Sequence, residues 1–266
     1  MDYRYVSFCF FLIIFCGGLS ACNPKISIIT SVYKADRFIE GFLDDIVKQT
    51  VFDACELILI NANSPGNEEA VIRRYLSCHS NIIYIRLDHD PGLYAVWNQA
   101  ISMARGVYIT NANVDDRLQV DCYRRHAHAL DMHPDIELVY SDFYVTHKAN
   151  RSFDMAVISH LRSMPEFSIQ QLLLQPLPNN HPMWRKSLHE RCGMFDDSFK
   201  YSGDREFWLR AASCGAQFKK VPGILGLYYF NPRGLSTDVR HADAIMHEEQ
   251  EIRRRYASLY GQYTAD

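Results

Sequence analysis

Residues 25–63 read KISIITSVYKADRFIEGFLDDIVKQTVFDACELILINAN and contain the first strand–helix–strand pattern of the chain. Residues 25–31 are rich in β-branched side chains and end in polar ones, which predicts a strand. After Asp36, apolar residues recur at helical spacing between Phe38 and Ile46, which predicts a helix. The apolar run at residues 56–60 predicts a second strand.

The same alternation continues to residue 141. Further strands are predicted at residues 81–86, 106–110 and 137–141, and helices at residues 67–76, 93–104 and 118–132. The strands are almost continuously apolar, as is typical of strands that helices cover on both faces. The sequence therefore predicts an α/β fold with a mostly parallel sheet flanked by helices.

Beyond Phe143 the regular alternation ends. Helices are predicted at residues 168–175, 204–214 and 242–260, and strands at residues 217–221 and 225–230. Neither an internal repeat nor a low-complexity linker separates these elements from the first half. We therefore expect residues 23–266 to form a single domain.

The composition excludes several classes of protein. The chain has 266 residues, a formal net charge of −3, 48% hydrophobic residues and 22% charged residues, which is an ordinary globular balance. A net charge this close to zero argues against a nucleic-acid-binding protein with a bulk basic surface. The eight cysteines include no CxxC pair, which excludes a zinc ribbon and favours free thiols in a reducing compartment.

The N-terminus instead indicates export from the reducing compartment. Residues 1–22 contain Arg4, an apolar run and the sequence Leu-Ser-Ala-Cys ending at Cys22, which has the layout of a secretory signal and resembles a bacterial lipoprotein cleavage box. The apolar part is short for a helix that spans a bilayer. A signal, a membrane anchor and a dispensable extension all stay open.

Polar residues follow three of the predicted strands. These clusters lie at residues 31–33, 61–64 and 111–116. In open α/β sheets, ligands bind beyond the carboxyl ends of the strands, so three clusters at one edge indicate a ligand site. The chain contains neither GxGxxG nor a Walker-type motif, which argues against a nucleotide held in either of those ways.

Asp115 and Asp116 are adjacent carboxylates after the fourth strand. They repel each other unless a cation or a proton intervenes, and oxygen ligands without nearby His or Cys suit Mg²⁺ or Mn²⁺. The alternative is that both acids only favour the N-terminus of the next helix. The pair alone supports these two interpretations equally.

Four segments resemble motifs of one enzyme family, in the family's order. They are residues 25–50, LILINANSPGNEE at 57–69, GLYAVWNQAISMARGVYITNANVDD at 92–116 and YSGDREFWLRAASCG at 201–215. From Lys25 to about Tyr229 the chain resembles the inverting nucleotide-sugar glycosyltransferases of family two. The resemblance implies the GT-A fold, a Rossmann-like, mostly parallel sheet flanked by helices, with a C-terminal extension on the acceptor side.

The resemblance also implies residue roles. Asp115 would contact the donor ribose, Asp116 together with Asp115 would hold a diphosphate-bound Mn²⁺ or Mg²⁺, and Asp204 would be the general base. Further donor-binding positions are Ser31, Tyr33, Asn61, Asn63, Ser64 and Asn98. Residues 23–142 would form the nucleotide-sugar-binding half, residues 143–240 the acceptor and catalytic-base half, and residues 241–266 a C-terminal helix.

The implied activity is metal-dependent, inverting transfer of a sugar from a UDP-sugar or another nucleoside-diphosphate sugar to a glycan or lipid-linked acceptor in bacterial surface polysaccharide synthesis. Asp204 would accept the proton of the acceptor hydroxyl. Because Asp204 begins a predicted helix, we expect the helix dipole to lower its pKa. An ordinary first-turn acid has the same sequence pattern.

Two departures from the family leave the donor open. Asn61-Ala62 stands where the family has paired acids, so the contact to the nucleobase lacks a carboxylate. Asn113 stands where the metal motif often begins with Asp, although Asp115 and Asp116 remain for the metal.

A different class is a non-catalytic glycan- or nucleotide-binding lipoprotein with the same fold. The cleavage box favours it, because nucleotide sugars are absent outside the cytoplasm. The retained Asp115, Asp116 and Asp204 favour the enzyme. We expect the enzyme to be cytoplasmic, and the N-terminal segment leaves open whether it associates with the inner face of the membrane. No nucleic-acid partner is expected.

The histidines carry weaker signals. His181, in NNHPMW, lies where the family lines the donor–acceptor cleft, although a loop histidine is more often solvated. His126, His128 and His133 lack metal-ligand spacing and are predicted to lie on a helix surface.

Overall fold

The computed structural model describes residues 23–263. The predicted signal, anchor or extension at residues 1–22 lies outside the described residues. No helix of the described part of the chain is both long and apolar enough to cross a membrane.

Four parallel strands form the first half of the sheet. They are β1 (Ile26–Val32), β2 (Cys55–Asn61), β3 (Ile82–Arg86) and β4 (Tyr108–Asn111), in the order β3-β2-β1-β4. Helices α1 (Ile39–Ile46), α2 (Glu68–Leu76), α3 (Leu93–Met103) and α4 (Cys122–Met132) follow β1, β2, β3 and β4 along the chain. The predicted α/β alternation is confirmed here.

The apolar strands are covered on both faces. On β1, Ile26 and Ile28 pack into a cluster with α1, α2 and α4, whereas Ile29 packs into a second cluster with α3. Successive side chains of a strand point to opposite faces, so a continuously apolar strand fits only a sheet between two layers.

Among the described residues, five further strands extend the same sheet and five further α-helices follow along the chain. The strands are β5 (Arg117–Leu118), β6 (Leu138–Thr146), β7 (His160–Arg162), β8 (Met183–Arg185) and β9 (Phe218–Tyr229). The helices are α5 (Ile169–Leu174), α6 (Ser187–Cys192), α7 (Gly203–Ser213), α8 (Ala242–Arg255) and α9 (Ala257–Tyr263).

Strand β8 joins the two halves. It pairs antiparallel with both β4 and β6, and the sheet order is β3-β2-β1-β4-β8-β6-β9-β5, with β7 paired to β6. Strand β9 runs parallel to β6 and antiparallel to β5. The face that α3 covers also holds α7, through Phe207 and Trp208.

The structure corrects three boundaries in the second half. The two predicted strands at residues 217–221 and 225–230 are one strand, β9, whose register to β6 shifts near Pro222 and Gly223, the latter at φ 103°. The predicted helix at residues 242–260 is two helices, with a break at Tyr256. Residues 117–118, predicted within or next to a helix start, pair with β9 before α4 begins.

Candidate active site

Polar residues from three strands meet at one edge of the sheet. Because β2, β1 and β4 are parallel neighbours, their carboxyl ends bring together Asn61, Ser31 and the segment after Asn111. Tyr33 lies just beyond β1 and is 42% exposed. The order of the strands in the sheet therefore brings the three polar clusters to the same edge, as predicted.

The loop after β2 contains both buried and exposed residues among the predicted donor-binding positions. Asn61 and Ser64 are fully buried, and Asn61 Oδ1 accepts the backbone N–H of Ser64 at 2.7 Å. Ser64 Oγ donates to Glu68 at 2.7 Å and accepts the backbone N–H of Lys34 at 2.9 Å. Asn61 and Ser64 therefore hold this loop against the loop after β1. Asn63, at φ 52°, is exposed at the tip.

Asp116 is the most enclosed acid of the segment 113–116, which we call the acidic loop. Its side chain is about 1% exposed. The carboxylate accepts the backbone N–H of Tyr229 at 2.9 Å on Oδ1 and the Asn113 amide at 3.1 Å on Oδ2. Burial raises the pKa of Asp116 well above 3.8, and the neighbouring charge of Asp115 raises it further.

Asp115 is half-buried beside it. Its Oδ2 accepts the side-chain amide of Asn231 at 3.0 Å, from the segment just after β9. Burial raises the pKa of Asp115, and the hydrogen bond from Asn231 partly opposes that effect. Asp115 is thus the more accessible member of the pair. Its hydrogen-bond partner Asn231 was not singled out from the sequence.

Arg117 fixes the backbone of the acidic loop. It is 3% exposed, and its guanidinium donates to the carbonyl oxygens of Val114 at 3.1 Å and Asp116 at 2.5 Å. It also donates to Asn150 Oδ1 at 3.2 Å. These contacts go to the backbone and to an amide, so Arg117 leaves the two carboxylates free of a direct cationic partner.

The acidic loop fits a divalent cation that binds together with a diphosphate. No lysine or arginine of residues 23–263 forms an ion pair with either carboxylate, and the hydrogen bonds from Tyr229 and Asn113 and the charge of Arg117 only partly offset the effect of burial on Asp116. Over the same residues, no group of three or more His, Cys, Asp or Glu side chains could hold a metal. Mg²⁺ commonly uses one or two carboxylates with waters and substrate phosphates, which this pair can provide.

His181 lies beneath Asp116, and the expectation of a solvated loop residue is wrong. It is 3% exposed, and its Nε2 lies 3.9 Å from Asp116 Oδ2. Neither ring nitrogen has a hydrogen-bond partner among the described residues, and burial lowers the pKa of His181 to about 4, so the ring is neutral at pH 7. Gly226 makes this possible, because a Cβ there would lie 2.9 Å from the ring.

His126 is also buried, contrary to its predicted place on a helix surface. It lies on the face of α4 that packs against the sheet and is fully buried, whereas His128 is exposed as predicted. Burial lowers the pKa of His126 to about 3.

Asp204 is the second residue of α7. Its Oδ1 accepts the backbone N–H of Arg205 at 2.9 Å and lies 3.1 Å from the hydroxyl of Tyr94, the second residue of α3. Because α3 begins after the carboxyl end of β3, this contact places Asp204 at the same edge of the sheet as the acidic loop. Tyr94 was not singled out from the sequence, since nothing local links it to Asp204, 110 residues away.

The expected lowering of the Asp204 pKa is wrong. Burial raises its pKa above 3.8, and the hydrogen bonds from Arg205 and Tyr94 only partly oppose this. Loss of solvation at the packed start of α7 therefore outweighs the local hydrogen bonds to the carboxylate.

Asn98 has a different setting from the other predicted donor-binding residues. It lies on α3, donates to the carbonyl oxygen of Phe195 at 2.8 Å and accepts the Phe195 N–H at 3.0 Å. The nitrogen and the oxygen of its side-chain amide thus both hold the segment before α7.

The chain is similar to proteins of one family. A family model described as Glycosyl transferase family 2 matches residues 27–186. The chain is 25% identical over 250 residues to the uncharacterized glycosyltransferase EpsJ of Bacillus subtilis, covering 90% of this chain and 71% of that protein. It is 24% identical over 231 residues to the chondroitin synthase of Pasteurella multocida, covering 83% of this chain and 22% of that protein.

Solved structures share the fold. TarS 1–349 of S. aureus in complex with UDP-GlcNAc superposes with a TM-score of 0.68 at 16% identity, covering 81% of this chain and 61% of that chain. The mannosyltransferase PcManGT of Pyrobaculum calidifontis, in complex with GDP-Man and Mn²⁺, has a TM-score of 0.61 at 16% identity, covering 92% and 65%. The chain thus spans less than two thirds of these solved chains.

Proposed function

The chain belongs to glycosyltransferase family 2, and from this membership we propose that it transfers a sugar from a nucleoside-diphosphate sugar to a hydroxyl of a glycan or lipid-linked acceptor, with inversion at the anomeric carbon. The family, the GT-A fold and the enzyme class predicted from the sequence are confirmed. One observation carries the proposal: the half-buried Asp115, the buried Asp116 and the separate, half-buried Asp204 lie at the same edge of the sheet.

The donor would lie over the ends of β1 and β2. Solved structures with this fold contain UDP-GlcNAc or GDP-Man, which supports a nucleoside-diphosphate sugar. We assign Tyr33 and Asn63, the exposed residues of the two loops, to direct contact with the nucleoside. Ser31 lies at the end of β1, and the buried Asn61 and Ser64 would act by holding the loop.

Asp115 and Asp116 would hold the cation, and Asp115 would also face the donor ribose. A bound Mn²⁺ or Mg²⁺ would neutralise the negative charge that develops on the leaving diphosphate. Of the two acids, Asp115 is the more accessible and Asp116 the more enclosed, so Asp115 would meet the donor side first.

Asp204 would accept the proton of the attacking hydroxyl. A base works best when its pKa lies near the working pH, so the raised pKa of Asp204 suits this role. The Tyr94 hydroxyl would orient the carboxylate through its contact at 3.1 Å. Attack from the face opposite the diphosphate inverts the anomeric carbon.

Relatives support a role in polysaccharide synthesis. Matched proteins include a chondroitin synthase, a hyaluronan synthase and a minor teichoic acid biosynthesis protein. We propose that this chain builds a bacterial surface polysaccharide or glycolipid from the cytoplasmic side. Membrane association through residues 1–22 stays a prediction.

A panel of UDP- and GDP-sugars with soluble glycoside acceptors would test the proposal. Release of nucleoside diphosphate should require Mn²⁺ or Mg²⁺ and stop with EDTA, and NMR of the product should show the inverted anomer. Binding of UDP or GDP without any turnover would instead support the non-catalytic alternative. A retained anomeric configuration would contradict the inverting mechanism.

A further inference from the structure

The segment immediately before α7 is held by one carboxylate from α8. Glu248 Oε1 accepts the backbone N–H of Lys200 at 2.7 Å. Glu248 Oε2 accepts the N–H groups of Tyr201 at 2.9 Å and Ser202 at 2.8 Å. Three consecutive backbone donors thus converge on a single half-buried side chain that lies 46 residues further along the chain.

This contact holds the backbone directly before the first residue of α7. Hydrogen bonds from backbone N–H groups to a carboxylate are stronger than those between neutral groups. The carbonyl oxygen of Ser202 accepts the N–H of Glu206 at 3.0 Å, which is the first helical bond of α7. A residue that fixes Ser202 therefore fixes the position of Asp204, two residues later.

Tyr94 holds the same segment from the other side. Its hydroxyl lies 3.0 Å from the carbonyl oxygen of Tyr201 and 3.1 Å from Asp204 Oδ1. Gly203 permits this approach, because a Cβ at that position would lie 2.7 Å from the Tyr94 ring. The segment 200–204 is thus clamped between α3 and α8.

We propose that Glu248 is a positioning residue for Asp204: it holds the N–H groups of residues 200–202 so that the Asp204 carboxylate faces the attacking hydroxyl. The proposal rests on the proposed role of Asp204 as the general base. Because the Glu248 carboxylate bonds the backbone of residues 200–202 and would act only through Asp204, its loss should lower kcat and leave donor affinity unchanged.

Three variants of the full chain test this. Glu248→Ala removes both acceptor oxygens and with them all three hydrogen bonds, Glu248→Gln keeps the volume and one acceptor oxygen, and Glu251→Gln is the matched control. Glu251 lies on the same helix but bonds only Arg254 and Arg255 on the surface. Hydrogen exchange at residues 200–204, UDP affinity by calorimetry and turnover with the active donor are measured for each.

We expect faster exchange at residues 200–202 in Glu248→Ala, UDP affinity within about twofold of wild type, and turnover reduced roughly 10- to 100-fold, as for a misplaced reacting group. Glu248→Gln should lie between Glu248→Ala and wild type. Glu251→Gln should match wild type in all three measurements. If Glu248→Ala does not fold, the same pattern in Glu248→Gln decides.

Unchanged exchange at residues 200–202 would show that Glu248 does not hold the segment and would overturn the inference. Faster exchange with normal turnover would show a structural role only and would overturn it as well. Absence of turnover in the wild-type chain is a separate result, which would refute the proposed function itself and with it the role of Glu248.

Discussion

Replacing Asp45 by asparagine should change how the stability of the protein depends on pH. Asp45 lies on α1, and its Oδ2 accepts the backbone N–H of Leu118, directly after the acidic loop and Arg117. Burial raises the pKa of Asp45 from 3.8 to about 6, against the opposing effects of the Leu118 hydrogen bond and the Arg117 charge. The folded state therefore binds this proton more tightly than the unfolded state does.

The difference in pKa determines the sign and the size of the change in the free energy of unfolding with pH. The pKa of Asp45 is higher in the folded state than in the unfolded state. Its contribution to the free energy of unfolding is therefore fully present below pH 3.8 and is lost as the pH rises through about 6. One pKa unit corresponds to about 1.4 kcal/mol, so the free energy of unfolding falls by roughly 3 kcal/mol above pH 7. About 2 kcal/mol of this change occurs between roughly pH 4.5 and 7.5.

Asparagine keeps the volume and an oxygen that can accept the Leu118 N–H, but it does not titrate. Urea unfolding of wild type and Asp45→Asn across this pH range gives the two free energies of unfolding. Their difference should change by about 2 kcal/mol in favour of the variant as the pH rises, and any constant effect of the amide cancels.

Asp121→Asn is the control with the opposite sign. Hydrogen bonds from Arg124 and Thr50 lower the pKa of Asp121 to about 2, so its carboxylate favours folding once ionised, and that contribution is lost as the pH falls. Relative to wild type, Asp121→Asn should therefore become less stable as the pH rises from about 2 to 4, and it should show no further change between roughly pH 4.5 and 7.5. Parallel curves for wild type and Asp45→Asn would refute the reasoning that partial burial raises the pKa of Asp45.

Four further predictions concern the site and the N-terminus. Asp204→Asn should lower initial rates roughly 10²–10⁴-fold, while thermal unfolding shows a stability change of about 1 kcal/mol or less; normal turnover would refute the base. In a pH–rate profile, activity of the wild type should fall on acidification at a pH above 3.8, because burial raises the pKa of Asp204; a limb at 3.8 would contradict this. Asp116→Asn should abolish turnover and weaken UDP binding in calorimetry with Mn²⁺, whereas wild-type binding that resists EDTA would argue against the metal. A chain that starts at Asn23 should fold by circular dichroism and keep its activity; mass spectrometry showing diacylated Cys22 on the native protein would contradict a cytoplasmic location.

The first half of the fold was predictable because its signals are local. Strands β1 and β2 differ from their predicted ranges by one residue at each end, and α1 begins one residue after the predicted start of its apolar pattern. Each element carries its own period of apolar residues, and helices between apolar strands imply parallel pairing.

The second half was less predictable because its short elements depend on distant partners. Strands β7 and β8 have three residues each and exist through pairing with β6 and β4. Strand β9 continues past Pro222 and Gly223 because β6 accommodates the register shift. Three residues are too few to show a period of their own.

By itself the sequence identified the chemistry available to this protein: the carboxylates Asp115, Asp116 and Asp204 and the motifs that link them to one family. Only the tertiary structure determined the state of those groups. The N–H that binds Asp116 comes from a residue 113 positions away, and the hydroxyl beside Asp204 comes from one 110 positions away. A pKa depends on the solvent and the partners around a group. Those surroundings, including the neutral His181 beneath Asp116 and the Glu248 carboxylate behind Asp204, exist only once distant segments have packed together.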